Sequence, residues 1–358
     1  MPHRTKSKFH LPGERRNQRG VFRRLFVLAL VVAVAWLWWR HEQPAKPVRV
    51  VAPSPARPEP RQWTGATVAE GGVPRAARNT FEAQIALARR AISPGSIDAT
   101  VGTQTRRAIS VFQEQESLPP TGILDMETSA RLTLDLPLLT TYTVTTNDLT
   151  RLQPLGKTWL AKSQQSALDY ETELELVAEK SHAHPELIRQ LNPDVNWTNL
   201  AVGTVVKIPD VNYPAPTNKA AFVVIHLDEK FLEAFGVETN LLAHFPCSIA
   251  ARVEKRPVGE LHVAVIAPDP NYTFDPELFP ESPEARQLNR KLILPPGPNN
   301  PVGVAWIGLD KPGYGMHGTP NPEQIGRTES HGCFRLANWD AEYLSQLVWV
   351  GMPVFVEP

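Results

Sequence analysis

Ser330-His331-Gly332-Cys333-Phe334-Arg335, preceded by His317-Gly318-Thr319 at a distance one loop can close, is the stretch on which the reading of this chain turns. It gathers a thiol, two imidazoles and a guanidinium into one short segment, the composition of a cysteine acyl-transfer site. The thiolate attacks and the thiol hardly does, so a cysteine nucleophile needs a base beside it. An ordinary cysteine is about 3% thiolate at pH 7, and an imidazole that shifts its pKa to ~6 raises the reactive fraction roughly thirtyfold, about 2 kcal/mol. Backbone N–H donors aimed at a tetrahedral oxyanion contribute more, on the order of 3 kcal/mol each. Gly332 permits a tight turn at the nucleophile, which aims the amides of Gly332 and Cys333 into the site. Against this stand a lone cysteine's usual role as inert core and a zinc site built from His317, His331 and Cys333. The zinc site lacks a fourth ligand at ordinary spacing, and no metal is expected.

Read as Tyr314-Gly-Met-His317-Gly-Thr319 followed by Glu329-Ser-His-Gly-Cys333-Phe-Arg335-Leu, the segment resembles the L,D-transpeptidase (YkuD-like) catalytic domain. That family's signature is a His-Gly upstream of Ser/Thr-His-Gly-Cys and then Arg or Asn. The likeness extends through Phe222-Val-Val-Ile-His-Leu-Asp228, Phe245-Pro-Cys-Ser-Ile249 and Arg256-Pro-Val-Gly259, and on to Gly351-Met-Pro-Val354. One departure is Ala250-Ala251, where the family often has glycine. The resemblance implies a cysteine-dependent L,D-transpeptidase without a cofactor, acting on peptidoglycan peptide stems. Cys333 is then the nucleophile and His317 the general base, its ring oriented by the Gly318 carbonyl. His331 and Gly332 shape the nucleophile turn and oxyanion hole, and Arg335, Ser330 and Thr319 face substrate. The acceptor is a stem amine, or the lysine of a cell-wall-attached protein. Water as acceptor gives an L,D-carboxypeptidase, and a silent domain gives a wall-binding scaffold.

Residues 219–358 make up this catalytic domain, and alternating apolar strands such as Ala221–Leu227, Leu261–Ile266 and Val302–Leu309 predict a mostly-β sandwich or barrel. One helix is expected from Ala341 to Val350, with Asn338 as N-cap, Asp340 in the positive first turn and Gly351 as its stop. The Pro-rich insertion from Pro268 to Pro301 reads as an irregular surface loop, with a lid over the active-site groove as the alternative.

The remainder is multidomain α+β. In residues 1–20 a basic tail is expected to stay cytoplasmic, since the first 24 residues carry eight Lys/Arg against one Glu. Residues 21–40 read as a transmembrane signal-anchor: Val21 to Trp39 rises ~28 Å as helix, close to the ~30 Å hydrocarbon core, with Trp36, Trp38 and Trp39 at the interface. A cleaved signal peptide is the alternative, although no small-x-small site follows Trp39. The expected location is the inner membrane, single-pass, with the catalytic domain in the periplasm. Residues 41–75 form a Pro-rich linker able to reach up to ~100 Å.

Residues 76–137 carry three amphipathic helices interleaved with two Asp/Gly/Thr segments, Ser96–Thr105 and Thr121–Thr128. Their order resembles the three-helix peptidoglycan-binding domain. Residues 140–212 alternate strand, two helices and strand, and resemble the βααβ LysM glycan-binding module at Leu191-Asn-Pro193 and Val202–Pro209. An insertion at 149–170 and Asn147 in place of glycine depart from that pattern. Together these modules imply glycan as a partner, in a protein of peptidoglycan biosynthesis, cell-wall organisation and cell shape. Lys+Arg 37 against Asp+Glu 37 leaves no excess charge to favour nucleic acid. Cys247 is expected to be a buried hydrophobe, with neither thiol in a disulfide.

Overall fold

The computed structural model describes residues 74–279, 282–327 and 332–358. The basic tail, the signal-anchor and nearly all of the linker lie outside the described residues, as do Ser330 and His331. Among the described residues no helix is long and apolar enough to cross a membrane.

The first unit is closed by β1 (Arg75–Ala76) against β2 (Thr133–Leu134) and contains α1 (Thr80–Ala88), α2 (Thr103–Gln115) and α3 (Met126–Arg131). Asn79 and Asp125 cap α1 and α3 by accepting from Glu82 N and Thr128 N. Each Asp/Gly/Thr segment wraps a buried glutamine. Gln84 donates to Asp98 and Thr105 and accepts from Ala99 N, while Gln113 donates to Thr128 and Ile123 O and accepts from Gly122 N. A buried amide left unsatisfied costs about 1–3 kcal/mol, so these two residues fix both loops.

The second unit pairs β3 (Leu139–Thr143) antiparallel with β4 (Val205–Pro209) around α4 (Thr146–Thr150), α5 (Trp159–Ser163), α6 (Glu173–Lys180) and α7 (Pro185–Leu191). The expected strand–helix–helix–strand order is present as β3, α6, α7 and β4, and the 149–170 insertion adds α5. Asp148, 2% exposed, accepts from Thr145 N and pairs with Lys180 at 2.5 Å. Those partners hold its carboxyl down at about 2 against the cost of burial. One apolar cluster, including Ile85, Phe112, Tyr170 and Ile188, runs through both units.

The third unit is a mixed eight-stranded sheet of β5 (Phe222–His226), β6 (Phe231–Phe235), β7 (Leu241–Pro246), β8 (Gly259–Pro268), β11 (Ala305–Leu309), β12 (Gly315–His317), β13 (Phe334–Arg335) and β14 (Pro353–Glu357), in the order β13-β12-β11-β8-β14-β5-β6-β7. Its two ends meet beyond β7, where Ser248 and Arg335 exchange backbone hydrogen bonds of 2.9 and 3.0 Å. The sandwich-or-barrel expectation therefore resolves to a sheet closed on itself, and the closure lies two residues from Cys333. On the opposite flank the first unit covers edge strand β7, with Ser93 N donating to His244 O and His244 N to Ala91 O.

The final helix, α8, spans Asn338–Leu347, earlier than the expected Ala341–Val350. Ala337 is its N-cap, and the Asn338 side chain instead donates to Glu179 at 3.1 and 3.2 Å and to Pro298 O at 3.1 Å. Tertiary partners outcompete the local cap. Asp340 is likewise no surface dipole partner but is fully buried.

Candidate active site

Strands β12 and β13 run parallel, with Met316 opposite Phe334 and His317 opposite Arg335. Met316 and Phe334 are buried in the core of the closed sheet, each contributing about 2 kcal/mol by leaving water. Side chains alternate along a strand, so anchoring those two inward turns Gly315, His317, Cys333 and Arg335 to the other face. The hydrophobic residues thereby aim the thiol and the imidazole to one side. The Cys333 sulfur lies 3.4 Å from Gly313 O, to which the thiol donates.

His317 is 4% exposed, and its Nδ1 lies 2.7 Å from Gly318 O. A carbonyl only accepts, so Nδ1 carries the proton and Nε2 presents a lone pair. Burial pushes the imidazole down to about 4, against the Gly318 contact that favours the charged form. The ring is neutral at pH 7 and fit to take a proton. Its outer face stacks on Trp306, centroids 5.5 Å apart, which is its register partner on β11. Two glycines paired across the strands, Gly308 and Gly315, make room for that indole: a Cβ on either would sit 2.8 Å from it. Trp306 was not singled out in the sequence. Its only signal there is the Trp-Ile-Gly of β11 facing Gly-Met-His of β12, which requires the pairing register to be known.

Cys333 departs from the expected thiolate. Burial pushes its thiol up to about 11, partly offset by the Gly315 N–H and the Arg335 guanidinium. The resting site thus holds a neutral thiol and a neutral imidazole, and deprotonation must accompany attack. Burial also lowers Arg335, offset by Cys333 and by Tyr272.

Tyr272 comes from the Pro268–Pro301 insertion, which is not the irregular loop expected. Within it β9 (Tyr272–Phe274) and β10 (Leu292–Leu294) form an antiparallel pair. They share a separate apolar core with Leu168 and Trp159 from the insertion of the second unit. Trp159 stacks on Phe274 at 4.3 Å, Leu168 N donates to Pro296 O, and Asn299 N donates to Leu168 O. Gly297, at φ +142, is required there, because a Cβ would lie 2.2 Å from Leu168 O. The two insertions fold as one body beside the site. Burial pushes the Tyr272 phenol to about 12, and the nearby Cys333 adds to the rise while Arg335 opposes it.

The structure thus brings Cys333, His317, Gly318 and Arg335 together. Gly332 is buried beneath Tyr314, whose ring lies 3.5 Å from the position of a Cβ. Thr319 is buried, and its hydroxyl accepts from Asn321 N at 3.4 Å, which ties it into the local turn. Ser330 and His331 fall among the residues not described. Among the described residues no cluster of His, Cys, Asp or Glu is arranged to hold a metal ion. Cys247 is fully buried, its thiol pushed up to about 12, and neither cysteine forms a disulfide.

Residues 220–356 match the L,D-transpeptidase catalytic domain family (YkuD), and residues 78–132 match a putative peptidoglycan binding domain. The chain is 25% identical over 185 residues to a putative L,D-transpeptidase YkuD of Bacillus licheniformis, covering 52% of this chain and 93% of that protein. It is 34% identical over 105 residues to a putative L,D-transpeptidase YqjB of Bacillus subtilis, covering 28% of this chain and 51% of that one. Among solved structures, L,D-transpeptidase 3 from Mycobacterium tuberculosis aligns with a TM-score of 0.31 at 18% identity, over 45% of this chain and 77% of the other.

Proposed function

Given an L,D-transpeptidase catalytic domain at 220–356 and a peptidoglycan-binding domain at 78–132, we propose that the protein joins peptidoglycan stems by acyl transfer through Cys333. The observation that carries this reading is His317 on β12 beside the parallel β13, which Cys333 immediately precedes, with Nε2 left as the proton-accepting nitrogen. As attack begins, the thiol proton passes to Nε2 while sulfur bonds to the stem carbonyl carbon. The imidazolium then gives that proton to the departing nitrogen of the terminal D-amino acid, the C–N bond breaks, and a thioester remains. An acceptor amine adds to the thioester, loses its proton through His317, and expels the sulfur, which is reprotonated.

Amides of Gly332 and Cys333 serve the oxyanion, with His331 shaping their turn. Arg335, aided by Ser330 and Thr319, meets a stem carboxylate. The neutral thiol suits a site that must wait for a specific donor, because an exposed thiolate would react with any electrophile. The second unit acts as a LysM-like glycan holder, and the N-terminal segment anchors the protein in the inner membrane with its catalytic domain in the periplasm. A stem amine is the acceptor preferred here; a cell-wall-attached protein's lysine and water are the rival acceptors.

Mass spectrometry of sacculus fragments incubated with the enzyme tests the reading. Cross-linked dimers with release of a D-amino acid are expected, and Cys333→Ser should abolish them while leaving the fold intact. Trimmed stems alone would make it a carboxypeptidase, and unchanged fragments a scaffold. Residual turnover of Cys333→Ser within tenfold of wild type removes Cys333 as nucleophile.

A further inference from the structure

A cleft of about 720 Å³ separates the peptidoglycan-binding unit from the catalytic unit and plays no part in the chemistry described above. One wall is the start of α2 with the loops at Ser96–Thr100 and Pro120–Gly122; the other is the β5–β6 turn at Asp228–Phe231 with Ile325–Arg327. The walls are held apart at fixed spacing. Gln104 donates to Ile325 O at 2.8 Å, and one turn along α2 the Arg107 guanidinium lies 4.2 Å over the Phe231 ring and 3.3 Å from Glu229.

Between these tethers the lining is polar and incompletely satisfied. Arg106 and Arg327 pair with no carboxylate among the described residues, and Lys230 reaches only Gly326 O at 3.4 Å. Lys230 also holds φ +59, a left-handed conformation that costs a non-glycine residue on the order of 1 kcal/mol and projects it from the turn. On the acidic side, Asp98 is occupied by Gln84 and Thr100, whereas the Asp228 carboxylate has no partner among the described residues. The Ser96 hydroxyl is buried without a hydrogen bond, and Gly102 leaves the 13-residue α2 with no side-chain cap where it opens into the cleft. Among the described residues, three cations without a carboxylate partner, one unpaired carboxylate and an orphaned hydroxyl match a ligand bearing carboxylates and hydroxyls.

The cleft is also tied to the closure of the sheet beside the candidate site. Gly326 N donates to Ser248 Oγ at 2.9 Å, and Ser248 is the residue whose backbone closes the sheet against Arg335. Gly332 and Cys333 follow Arg327 by five and six positions in the sequence. We infer that this cleft is a second substrate site, taking the acceptor peptide stem with its carboxylates toward Arg106, Lys230 and Arg327 and leaving its nucleophilic amine free for the thioester. The inference relies on the transpeptidase reading for the identity of the acceptor; the charge pattern and the walls stand without it.

The test uses the full chain and soluble disaccharide–peptide fragments released from sacculi by a muramidase, with binding followed by titration calorimetry. Arg106→Glu on the exposed face of α2 should weaken binding about tenfold or more, and Arg106→Lys by less than threefold. Wild-type affinity should fall as salt rises. Acylation of Cys333 by a carbapenem, read by intact mass, should proceed within twofold of the wild-type rate in both variants, which shows that each is folded and donor-competent. Arg106→Glu binding within twofold of wild type overturns the inference, as does equal binding of glycan strands stripped of peptide, or no fragment binding by the wild type. The two readings fail separately: a Cys333 that no carbapenem acylates counts against the catalytic assignment alone.

Discussion

Glu284 accepts the backbone N–H groups of Trp159 and Leu160, each at 3.0 Å, so a carboxylate of the catalytic unit's insertion caps a helix of the preceding unit. Helix α5 has five residues and could not persist alone, since a single turn fixes many dihedrals for few hydrogen bonds. Its stability comes from Glu284 at its positive end and from the Trp159 ring stacked on Phe274.

Removing that ring should loosen the insertion without unfolding the barrel. Trp159→Ala deletes a half-buried ring packed on the small shared core, a local loss at or below the low end of the ~3–5 kcal/mol that a fully buried ring costs. Hydrogen exchange at Tyr272–Phe274 and Leu292–Leu294 should accelerate at least tenfold, while β5–β7 keep their protection. With Tyr272 no longer held beside Cys333 and Arg335, kcat/KM for stem substrates should fall roughly tenfold, mainly through KM. Unchanged exchange in the β9–β10 pair would show that the insertion is held by something else.

His317 and Cys333 make a second prediction, about pH. A thiol pushed to about 11 and an imidazole pushed to about 4 leave both groups neutral across the range between. Imidazole-assisted attack is therefore pH-independent between those limits, and only above about pH 9 should the thiolate's own reactivity raise the rate. For wild type, log rate of iodoacetamide alkylation should be flat from pH 6 to 8 and then climb. His317→Ala should lose the flat region and keep the climb, about one log unit per pH unit. His331→Ala should preserve the flat region while impairing turnover. The reverse ordering of the two histidine variants transfers the base role to His331.

The grouping of Cys333, His317 and Arg335 was legible in the sequence because it depends on local facts: the spacing of His317-Gly318 and Ser330–Arg335, and residue types that only certain chemistry uses. The structure's additions rest on long-range pairing. Trp159 and Glu284 lie 125 positions apart, and nothing local in either insertion announces the other. Gln84 and Gln113 carry no local sign of their burial, which comes from the loops that fold over them. Asn338 has every local mark of an N-cap, but Glu179 and Pro298 O take its amide instead. The thiol's pKa follows the same rule: motif residues specify a partner for Cys333, while the burial that raises it comes from the whole fold.

Asp340 gives the third prediction, in stability against pH. It is fully buried on α8, its Oδ1 accepting from Tyr213 at 2.5 Å and its Oδ2 from Ser93 of the first unit at 3.1 Å. Burial pushes the carboxyl up to about 7 although both hydroxyls favour its charged form. A folded pKa above the unfolded value of about 3.9 means the native state holds this proton while the unfolded chain has released it. Asp340's contribution is therefore full below about pH 4 and is lost as pH rises through 7. Other groups act oppositely. His317 and His244, both lowered by burial, favour the folded state increasingly as pH climbs to about 6.5, and Asp148 and Glu233, held near 2, lose their contribution only below about pH 4. The wild-type profile alone thus mixes several slopes, and the difference from a neutral isostere isolates one. Asp340→Asn keeps the shape, and the Ser93 hydroxyl can turn to accept from the new amide. Thermal melts of both proteins between pH 4.5 and 8 should show Tm of Asp340→Asn minus Tm of wild type rising with pH up to about 7 and levelling off above it. A difference that stays constant across that range would mean Asp340 is already ionised in the folded protein, with Tyr213 and Ser93 stabilising its charge rather than burial suppressing it.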